Sequence, residues 1–179
     1  ICVPNLRKAI AVVADALHPT PQMQKVAVTG TNGKTSVAYF TQQILNRAEK
    51  TTASLGTIGI QSPVYQRDGK MTTPDAVTLH KSLEELAQHG VEFVALEASS
   101  HGLDQERVGA IEFVATGFTN LTRDHLDYHQ TMEAYLAAKM KLFTERTRKD
   151  GVVVLNADVP EFQEMAEAVK AKGIRIYSY

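Results

Sequence analysis

The chain has 179 residues, which suits one domain with a short attached segment. Hydrophobic residues make up 44% and charged residues 22%, as in an ordinary soluble globular protein. A formal net charge of -1 gives no basic excess for a nucleic-acid partner, and the apolar runs are too short to span a membrane. The single cysteine, Cys2, excludes an internal disulfide and fits a reducing cytosol. No signal peptide is visible, and the ends at Ile1 and Tyr179 suggest a piece of a longer chain.

The first quarter of the chain predicts a helix, a linker and a strand–loop–helix unit. Asn5 can cap a helix over residues 5–17, where apolar residues recur at helical spacing. Residues 18–22 contain two prolines and are expected to form a linker. A strand over 25–29 and a helix over 34–47 follow, and a second strand is expected over 51–55.

The rest of the chain continues the alternation of strands and helices. Residues 56–72 predict a hairpin region with Asp68-Gly69 as its turn, and Thr73 and Pro74 predict the start of a helix that ends at Gly90. The later elements are strands over 91–97 and 112–119, a helix over 132–147, a strand over 152–155, a helix over 160–172 and a strand over 174–179. This order favours an α/β fold with a mostly parallel sheet and flanking helices.

The segment Gly30-Thr31-Asn32-Gly33-Lys34-Thr35-Ser36 has the composition of a phosphate-binding loop. It lies between a strand and a helix, where backbone N–H groups and the helix N-terminus attract an anion. Lys34 is expected to neutralise the β- and γ-phosphates, and the Thr35 hydroxyl to bind Mg²⁺. Val28 stands where the usual pattern has glycine, so a glycine-rich turn that happens to end in Lys-Thr is the alternative.

Lys139 lies in the centre of an apolar stripe formed by Met132, Tyr135, Leu136, Leu142 and Phe143. A lysine in this position either extends its amine to solvent or is buried with a lowered pKa. A buried neutral amine can react with CO₂ to form a carbamate, which is a metal ligand. On sequence alone, extension to solvent is the more common outcome.

Polar residues follow two of the predicted strands. Glu97 ends one of them, which favours a Mg²⁺ or water ligand, although an exposed strand-end glutamate is equally consistent. The neighbours Ser99 and His101 do not form the G-x-S-x-G elbow of a hydrolase. His125 and His129 have the spacing of a zinc helix, but the glutamate of such a helix is missing, so a role for one histidine in a Mg²⁺–nucleotide site is favoured over zinc, and a structural role is equally open.

Four motifs in this order resemble the Mur ligase family. They are residues 29–35, 97–103, 120–127 and 135–143, and together they are more specific than any one alone. The stretch 99–103, with Gln105 and Arg107 after it, most resembles the subfamily that adds the third amino acid to the peptidoglycan stem peptide. The opening 3–9 and the pair Thr72-Thr73 fit the same subfamily, although Met71 replaces a polar residue of some relatives.

The resemblance implies an ATP-dependent amide ligase of peptidoglycan synthesis that acts through an acyl phosphate. It implies two Mg²⁺ ions and a carbamate on Lys139. The implied catalytic residues and metal ligands are Lys34, Thr35, Glu97, His125 and carbamylated Lys139. The implied ATP-binding residues are Gly30, Thr31, Asn32, Gly33, Lys34, Thr35, Ser36 and Asn120, and the implied substrate-binding residues are Thr72, Thr73, Ser99, Gln105 and Arg107.

The resemblance also implies a domain order and partners. Residues 1–22 would end an N-terminal domain and its linker, residues 23–179 would form the central ATP-binding domain, and a C-terminal amino-acid-binding domain would be absent. The expected substrates are a UDP-linked muramoyl dipeptide and a diamino acid, either meso-diaminopimelate or L-lysine. The protein is expected to be a cytoplasmic monomer, and the fragment alone to be inactive. The rival functions are a folylpolyglutamate synthase or cyanophycin synthetase ligase, a P-loop switch, and a non-catalytic interaction domain.

Overall fold

The computed structural model describes residues 3–20 and 22–179. Cys2, and Pro21 of the predicted linker, lie outside the described residues. Within the described ranges, no helix is long and apolar enough to cross a membrane.

The fold is built on one seven-stranded sheet. Its strands are β1 (Gln24–Thr29), β2 (Thr52–Gly56), β3 (Gly59–Gln61), β4 (Phe93–Glu97), β5 (Phe113–Phe118), β6 (Thr147–Leu155) and β7 (Arg175–Ser178). The order across the sheet is β3-β2-β4-β1-β5-β6-β7. Among the strands of the described residues, only β3 runs antiparallel to its neighbour. The predicted α/β fold with a mostly parallel sheet is therefore confirmed.

One helix precedes the first strand, and the others lie in the connections between strands. The helices are α1 (Leu6–Leu17), α2 (Lys34–Arg47), α3 (Ala76–Gln88), α4 (Ser100–Asp104), α5 (Leu126–His129), α6 (Met132–Lys141) and α7 (Phe162–Lys170). The Asn5 side chain accepts a hydrogen bond from the Lys8 N–H at 3.0 Å, which confirms the predicted cap of α1. The predicted bounds of α2 are also confirmed.

The predicted cap of α3 is wrong. Asp75, not Thr73, caps this helix, and its carboxylate accepts hydrogen bonds from the N–H and hydroxyl of Thr78 at 3.0 and 2.7 Å. Thr73 is 1% exposed, and its hydroxyl is used in contacts with β4. The end of α3 agrees with the prediction, because Gly90 takes a φ of +77°, a left-handed conformation that suits glycine after a helix.

The predicted hairpin turn at Asp68-Gly69 is also wrong. The antiparallel pair β2–β3 turns at residues 57–58 instead. Gly69 packs directly against Gly59, where a Cβ on either glycine would lie within 2.5 Å of backbone atoms. The segment after β3 therefore folds back over the hairpin, which brings the following threonines, Thr72 and Thr73, towards the carboxyl end of β4.

The predicted helix over 132–147 is confirmed only in part. The α-helical segment α6 ends at Lys141, and residues Leu142–Arg146 continue as one π-helical turn. Such a turn adds one residue to the repeat. Leu142 and Phe143 stay fully buried there, so the apolar stripe continues into the core. The short helices α4 and α5 were not predicted.

The alternating residues of the central strands face two different layers. Ala27, Val94 and Leu96 belong to the main hydrophobic core, together with side chains from α3, the π-helical turn and α7. Val28 and Ala95 face the opposite side and pack against Ala38 of α2. Beside α2, over β1, β5 and β6, lies an apolar groove of about 370 Å³.

Candidate functional site

The carboxyl ends of three adjacent strands converge at one edge of the sheet. Val28 of β1 is in register with Glu97 of β4 on one side and with Gly117 of β5 on the other. The loops that follow these strands carry the phosphate-loop motif, Glu97 with the residues after it, and the segment around Asn120. Ligands bind at this edge in open parallel sheets, so the topology places most of the predicted site residues in one region.

Hydrogen bonds to the loop after β5 fix the conformation of the loop after β1. Gly30 and Gly33 have φ values of +150° and +86°, which other residues rarely adopt. The Thr31 N–H donates to the Asn120 carbonyl at 2.9 Å, and the Asn32 N–H donates to the Asn120 side chain at 2.9 Å. The predicted ATP-binding residue Asn120 therefore contacts the phosphate loop and fixes its shape.

A neighbouring threonine explains why residue 30 is a glycine. A Cβ at Gly30 would lie 1.9 Å from Oγ1 of Thr119. That hydroxyl donates to the Asn32 carbonyl at 2.6 Å, so it cannot move without loss of a loop contact. The close approach leaves no space for a side chain at this point of the loop.

Lys34 lies at the start of α2 and folds back over the loop. Its Nζ donates to the carbonyls of Gly30 and Thr31, both at 2.9 Å. Burial lowers the pKa of the Lys34 amine, while the charges of Glu97 and Asp124 oppose that change. The ammonium is therefore positioned over the loop. Ser36 is exposed in the first turn of α2.

Glu97 is not an exposed strand-end glutamate, because only 2% of it is accessible. Its Oε2 accepts the Thr35 hydroxyl at 2.8 Å and the Thr57 hydroxyl at 3.2 Å, and its Oε1 accepts the Thr57 N–H at 2.8 Å. A hydroxyl and a carboxylate oxygen at this distance are hard oxygen donors of the kind that Mg²⁺ prefers. The residues present therefore fit a magnesium ion beside the phosphate loop.

Lys139 does not extend to solvent. It is 1% exposed, and its Nζ lies 4.2 Å from the centroid of the Tyr135 ring. Burial, and secondarily the positive charge of Lys34, lower the pKa of the amine to about 7, while Asp124 acts in the opposite direction. The Tyr135 hydroxyl lies 3.2 Å from Oγ1 of Thr31. One tyrosine therefore contacts both Lys139 and the phosphate loop.

His125 lies at the edge of the same region. Its φ of +52° is unusual for a residue other than glycine, and its N–H donates to Oδ1 of Asp124 at 2.8 Å. Its ring centroid lies 6.0 Å from that of Tyr135 and 4.8 Å from that of His101. His129 is buried behind it, with its ring 5.1 Å from that of Tyr135.

The histidine cluster lacks the arrangement of a metal site formed by protein side chains alone. Across residues 3–20 and 22–179, no group of three or more His, Cys, Asp or Glu side chains is placed to hold a metal ion. Burial lowers the pKa of both His101 and His129, and the charge of His125 lowers both further. The charge of His101 also lowers the pKa of His129. These rings are therefore favoured as neutral groups.

The predicted substrate-binding residues lie together beside Glu97. Arg107 donates through Nε and Nη2 to Oε1 of Gln105, at 3.1 and 2.7 Å, and through Nη1 to the Thr73 carbonyl at 2.7 Å. The Thr73 hydroxyl donates to the Glu97 carbonyl at 2.7 Å and accepts the Ser99 N–H at 2.9 Å.

Ser99 and Thr72, the other two predicted substrate-binding residues, are more exposed than Thr73. The Ser99 hydroxyl caps α4 by accepting the Gly102 N–H at 3.0 Å. Thr72 is partly exposed, and its hydroxyl lies 3.0 Å from that of Thr57. Of the two threonines of the pair, Thr72 is thus the one that faces the surface, whereas Thr73 is engaged inside the protein.

Two residues of this region were not identified as functional from the sequence. Thr57 directly follows β2 and bonds the Glu97 carboxylate. Tyr135 was named only as part of the apolar stripe and of the motif 135–143, with no role in the site. The rule that singled out Glu97, a polar residue at the carboxyl end of a strand, also applies to Thr57.

An open parallel sheet with a glycine-rich phosphate loop at the carboxyl end of its central strand defines a nucleotide-binding α/β domain. The Thr35–Glu97 pair beside the loop adds two oxygen donors of the kind that Mg²⁺ prefers. Residues 28–179 match the Mur ligase middle domain, and the chain belongs to this family.

Curated relatives from several bacteria support the same assignment. A protein of Bradyrhizobium diazoefficiens named UDP-N-acetylmuramoyl-L-alanyl-D-glutamate–2,6-diaminopimelate ligase is 48% identical over 176 residues, which cover 98% of this chain and 36% of that protein. A protein of the same name from Caulobacter vibrioides is 46% identical over 180 residues, covering 97% of this chain and 37% of the relative. The chain thus spans little more than a third of the length of these relatives.

Solved structures show the same fold. A structure of a UDP-N-acetylmuramoyl-L-alanyl-D-glutamate–2,6-diaminopimelate ligase superposes with a TM-score of 0.87 at 31% identity, over 100% of this chain and 37% of that one. The folylpolyglutamate synthase of Mycobacterium tuberculosis superposes with a TM-score of 0.77 at 17% identity, over 98% of this chain and 47% of that one. At this lower identity the likeness shows a shared fold alone.

Proposed function

We propose that this chain is the ATP-binding middle domain of a ligase that adds a diamino acid to UDP-N-acetylmuramoyl-L-alanyl-D-glutamate. The observation that carries the proposal is the convergence of three features at one sheet edge: the phosphate loop, the Thr35–Glu97 pair and the buried amine of Lys139. The names of relatives at 46–48% identity favour 2,6-diaminopimelate over L-lysine as the amino acid that is added.

The proposed reaction has two steps. The free carboxylate of the D-glutamate attacks the γ-phosphorus of ATP, and ADP leaves. The amine of the diamino acid then attacks the carbonyl carbon of the acyl phosphate, and inorganic phosphate leaves as the amide forms and a proton is released. Phosphoryl transfer depends mainly on positioning and on neutralisation of charge, and both would be supplied by residues of this edge.

The loop residues Gly30 to Ser36 would bind the ATP phosphates, with Lys34 as the cation nearest to them and Asn120 as the support of the loop. Thr35 and Glu97 would hold one Mg²⁺, which supplies charge neutralisation on the phosphate oxygens. The 2.8 Å contact between their side chains supports this pairing.

Lys139 would act as a carbamate that, together with His125, holds a second Mg²⁺. A pKa of about 7, lowered by burial, leaves a substantial fraction of the amine neutral near pH 7, and only the neutral amine reacts with CO₂. Conversion to a carbamate also turns a buried cation beside Lys34 into an anion, which removes the repulsion between the two lysines.

The group Thr72, Thr73, Ser99, Gln105 and Arg107 would form the binding region for the muramoyl dipeptide. Arg107 supports this role because its guanidinium is already oriented by three hydrogen bonds. A fixed guanidinium can bind a carboxylate through two parallel hydrogen bonds. Thr73 would act from inside, by holding Ser99 and the Glu97 backbone in place.

The full-length protein tests the proposal. We expect ADP release that requires both UDP-N-acetylmuramoyl-L-alanyl-D-glutamate and 2,6-diaminopimelate, with a tripeptide product by mass spectrometry. L-Lysine in place of diaminopimelate tests the choice of amino acid, and the isolated 179-residue chain should release no ADP. ADP release that instead depends on a folate and glutamate would replace the proposal with a folylpolyglutamate synthase, the alternative with the same fold.

A further inference from the structure

Thr57, as well as Thr35, holds the carboxylate of Glu97 in place. Besides Thr35, the backbone N–H and the hydroxyl of Thr57 both donate to it, at 2.8 and 3.2 Å. Gly56 adds a steric constraint, because a Cβ at this position would lie 2.0 Å from Oε1 of Glu97. The carboxylate therefore fits closely against the end of β2.

The Thr57 hydroxyl also contacts the substrate region. Its oxygen lies 3.0 Å from that of Thr72. A hydroxyl carries one proton, so the Thr57 proton that is donated to Glu97 leaves its oxygen free to accept the proton of Thr72. The hydrogen bonds thus run in one direction, from Thr72 through Thr57 to the carboxylate of Glu97.

A second link joins the same two regions through the backbone. The neighbour of Thr72, Thr73, donates its hydroxyl to the Glu97 carbonyl at 2.7 Å. The segment of residues 72–73 is thus attached to Glu97 at both its carbonyl and, through Thr57, its carboxylate. A shift of residues 72–73 would therefore change the hydrogen bonds that hold Glu97.

We infer that Thr57 is a positioning residue that orients Glu97 for the Mg²⁺–nucleotide complex and couples it to the substrate segment at Thr72. The inference rests on the proposed function for the identity of the substrate. The effect on Mg²⁺–nucleotide binding does not depend on which carboxylate or amine the enzyme uses. Groups that orient a metal ligand typically change metal affinity or activity by about 10- to 100-fold when they are removed.

The experiment compares three variants of the full-length protein. Thr57→Val removes the hydroxyl but keeps the shape and the backbone donor, and Thr57→Ser keeps the hydroxyl. Thr52→Val is the matched control, because Thr52 is a buried threonine at the other end of β2 whose hydroxyl bonds only the Lys50 carbonyl. Calorimetry with a non-hydrolysable ATP analogue, titrated at several Mg²⁺ concentrations, measures nucleotide affinity without turnover.

We expect Thr57→Val to weaken Mg²⁺-dependent nucleotide binding roughly tenfold or more, with Thr57→Ser and Thr52→Val close to the parent. In the ligase assay, Thr57→Val should raise KM for the muramoyl dipeptide and lower kcat together. Parent-like nucleotide binding by Thr57→Val would overturn the inference, even if its thermal stability falls. If the parent protein shows no ligase activity but still binds the nucleotide more tightly than Thr57→Val, the proposed function is wrong and the inference about Thr57 stands.

Discussion

Replacement of Lys139 by methionine is expected to stabilise the fold and to abolish the proposed activity. Lys139 is 1% exposed, and burial together with the charge of Lys34 lowers the pKa of its amine from 10.5 to about 7. At about 1.36 kcal/mol for each pKa unit, a difference of about 3.5 corresponds to a cost to folding on the order of 5 kcal/mol below pH 7. The Tyr135 ring centroid lies 4.2 Å from Nζ, and its cation–π interaction stabilises the charged amine by about 2 kcal/mol. A net gain of roughly 3 kcal/mol is therefore expected from methionine at pH 6.

The gain should depend on pH in a defined direction. The unfolded chain keeps the lysine proton up to about pH 10.5, whereas the folded chain loses it near pH 7. The stability of the parent therefore rises between about pH 7 and 10.5, since the unfolded state binds more protons in that window. The advantage of Lys139→Met should decline over the same window.

Urea unfolding followed by circular dichroism, at pH 6 and pH 9.5 in bicarbonate-free buffer, measures both effects. Lys141→Met is the matched control, because Lys141 lies on the same helix with 30% of its side chain exposed and is paired with Asp104 at 3.1 Å. This variant should lose at most about 1 kcal/mol. A Lys139→Met protein that is less stable than the parent at pH 6, or whose difference from the parent is the same at both pH values, would refute the reasoning.

Three other changes separate the site from the fold. Gly56→Ala should displace the Glu97 carboxylate, because the new Cβ would lie 2.0 Å from Oε1 of Glu97. Calorimetry should then show no Mg²⁺-dependent nucleotide binding. Gly117→Ala is the control, because its Cβ would have its nearest contact at 3.8 Å, and this variant should bind the nucleotide normally. A lysine at position 107 cannot reproduce the three hydrogen bonds of the Arg107 guanidinium. Arg107→Lys should therefore raise KM for the muramoyl dipeptide with little change in KM for ATP. An equal rise in both KM values would contradict the assignment of Arg107 to substrate binding. Asp75→Ala should cost about 1 kcal/mol of stability at pH 7 without a loss of activity. Burial alone would raise the pKa of Asp75, but its hydrogen bonds lower it below 3.8. The cost of Asp75→Ala should therefore begin to decrease as the pH falls below 3.8 and vanish below the lowered pKa, so thermal unfolding at pH 7 and pH 3 should show a smaller difference at pH 3.

The parts of the fold that the sequence predicted are those with a long, regular pattern. The bounds of α2 and the alternation of strands and helices were predicted because each element spans several periods of its hydrophobic repeat. The helices α4 and α5 have five and four residues, too few for a period to be visible. The π-helical turn after Lys141 changes the repeat by one residue, which no residue type signals.

The two wrong local predictions share one cause, namely a tertiary contact that overrode a local preference. Thr73 and Asp75 are both suitable cap residues, but the Thr73 hydroxyl is taken by the backbone of Glu97 and Ser99. Asp68-Gly69 has the composition of a tight turn, but Gly69 is needed for the close approach to Gly59. Neither partner lies near in sequence, so local patterns could not reveal them.

In the candidate site, too, the sequence predicted some features and could not predict others. The carboxyl-edge rule and the loop motif pointed to Glu97 and Lys34, and the apolar stripe pointed to burial as one of two outcomes for Lys139. The surroundings of Lys139 could not be read from the stripe, because the charges of Lys34 and Asp124 come from other elements. The metal and carbamate roles of these residues stay predictions.

The unfavourable burial of Lys139 is itself an argument about function. A methionine at this position would fill similar space without the cost of a buried amine, so stability alone gives no reason for a lysine. The same burial lowers the pKa of the amine to about 7, the range in which a substantial fraction is neutral and reactive towards CO₂. Lys34 strengthens this effect while it also serves the phosphate loop, so a neutral Lys139, or one that carries an anionic carbamate, avoids repulsion with the Lys34 ammonium. Burial thus favours the neutral amine, which is the form from which the proposed carbamate is made.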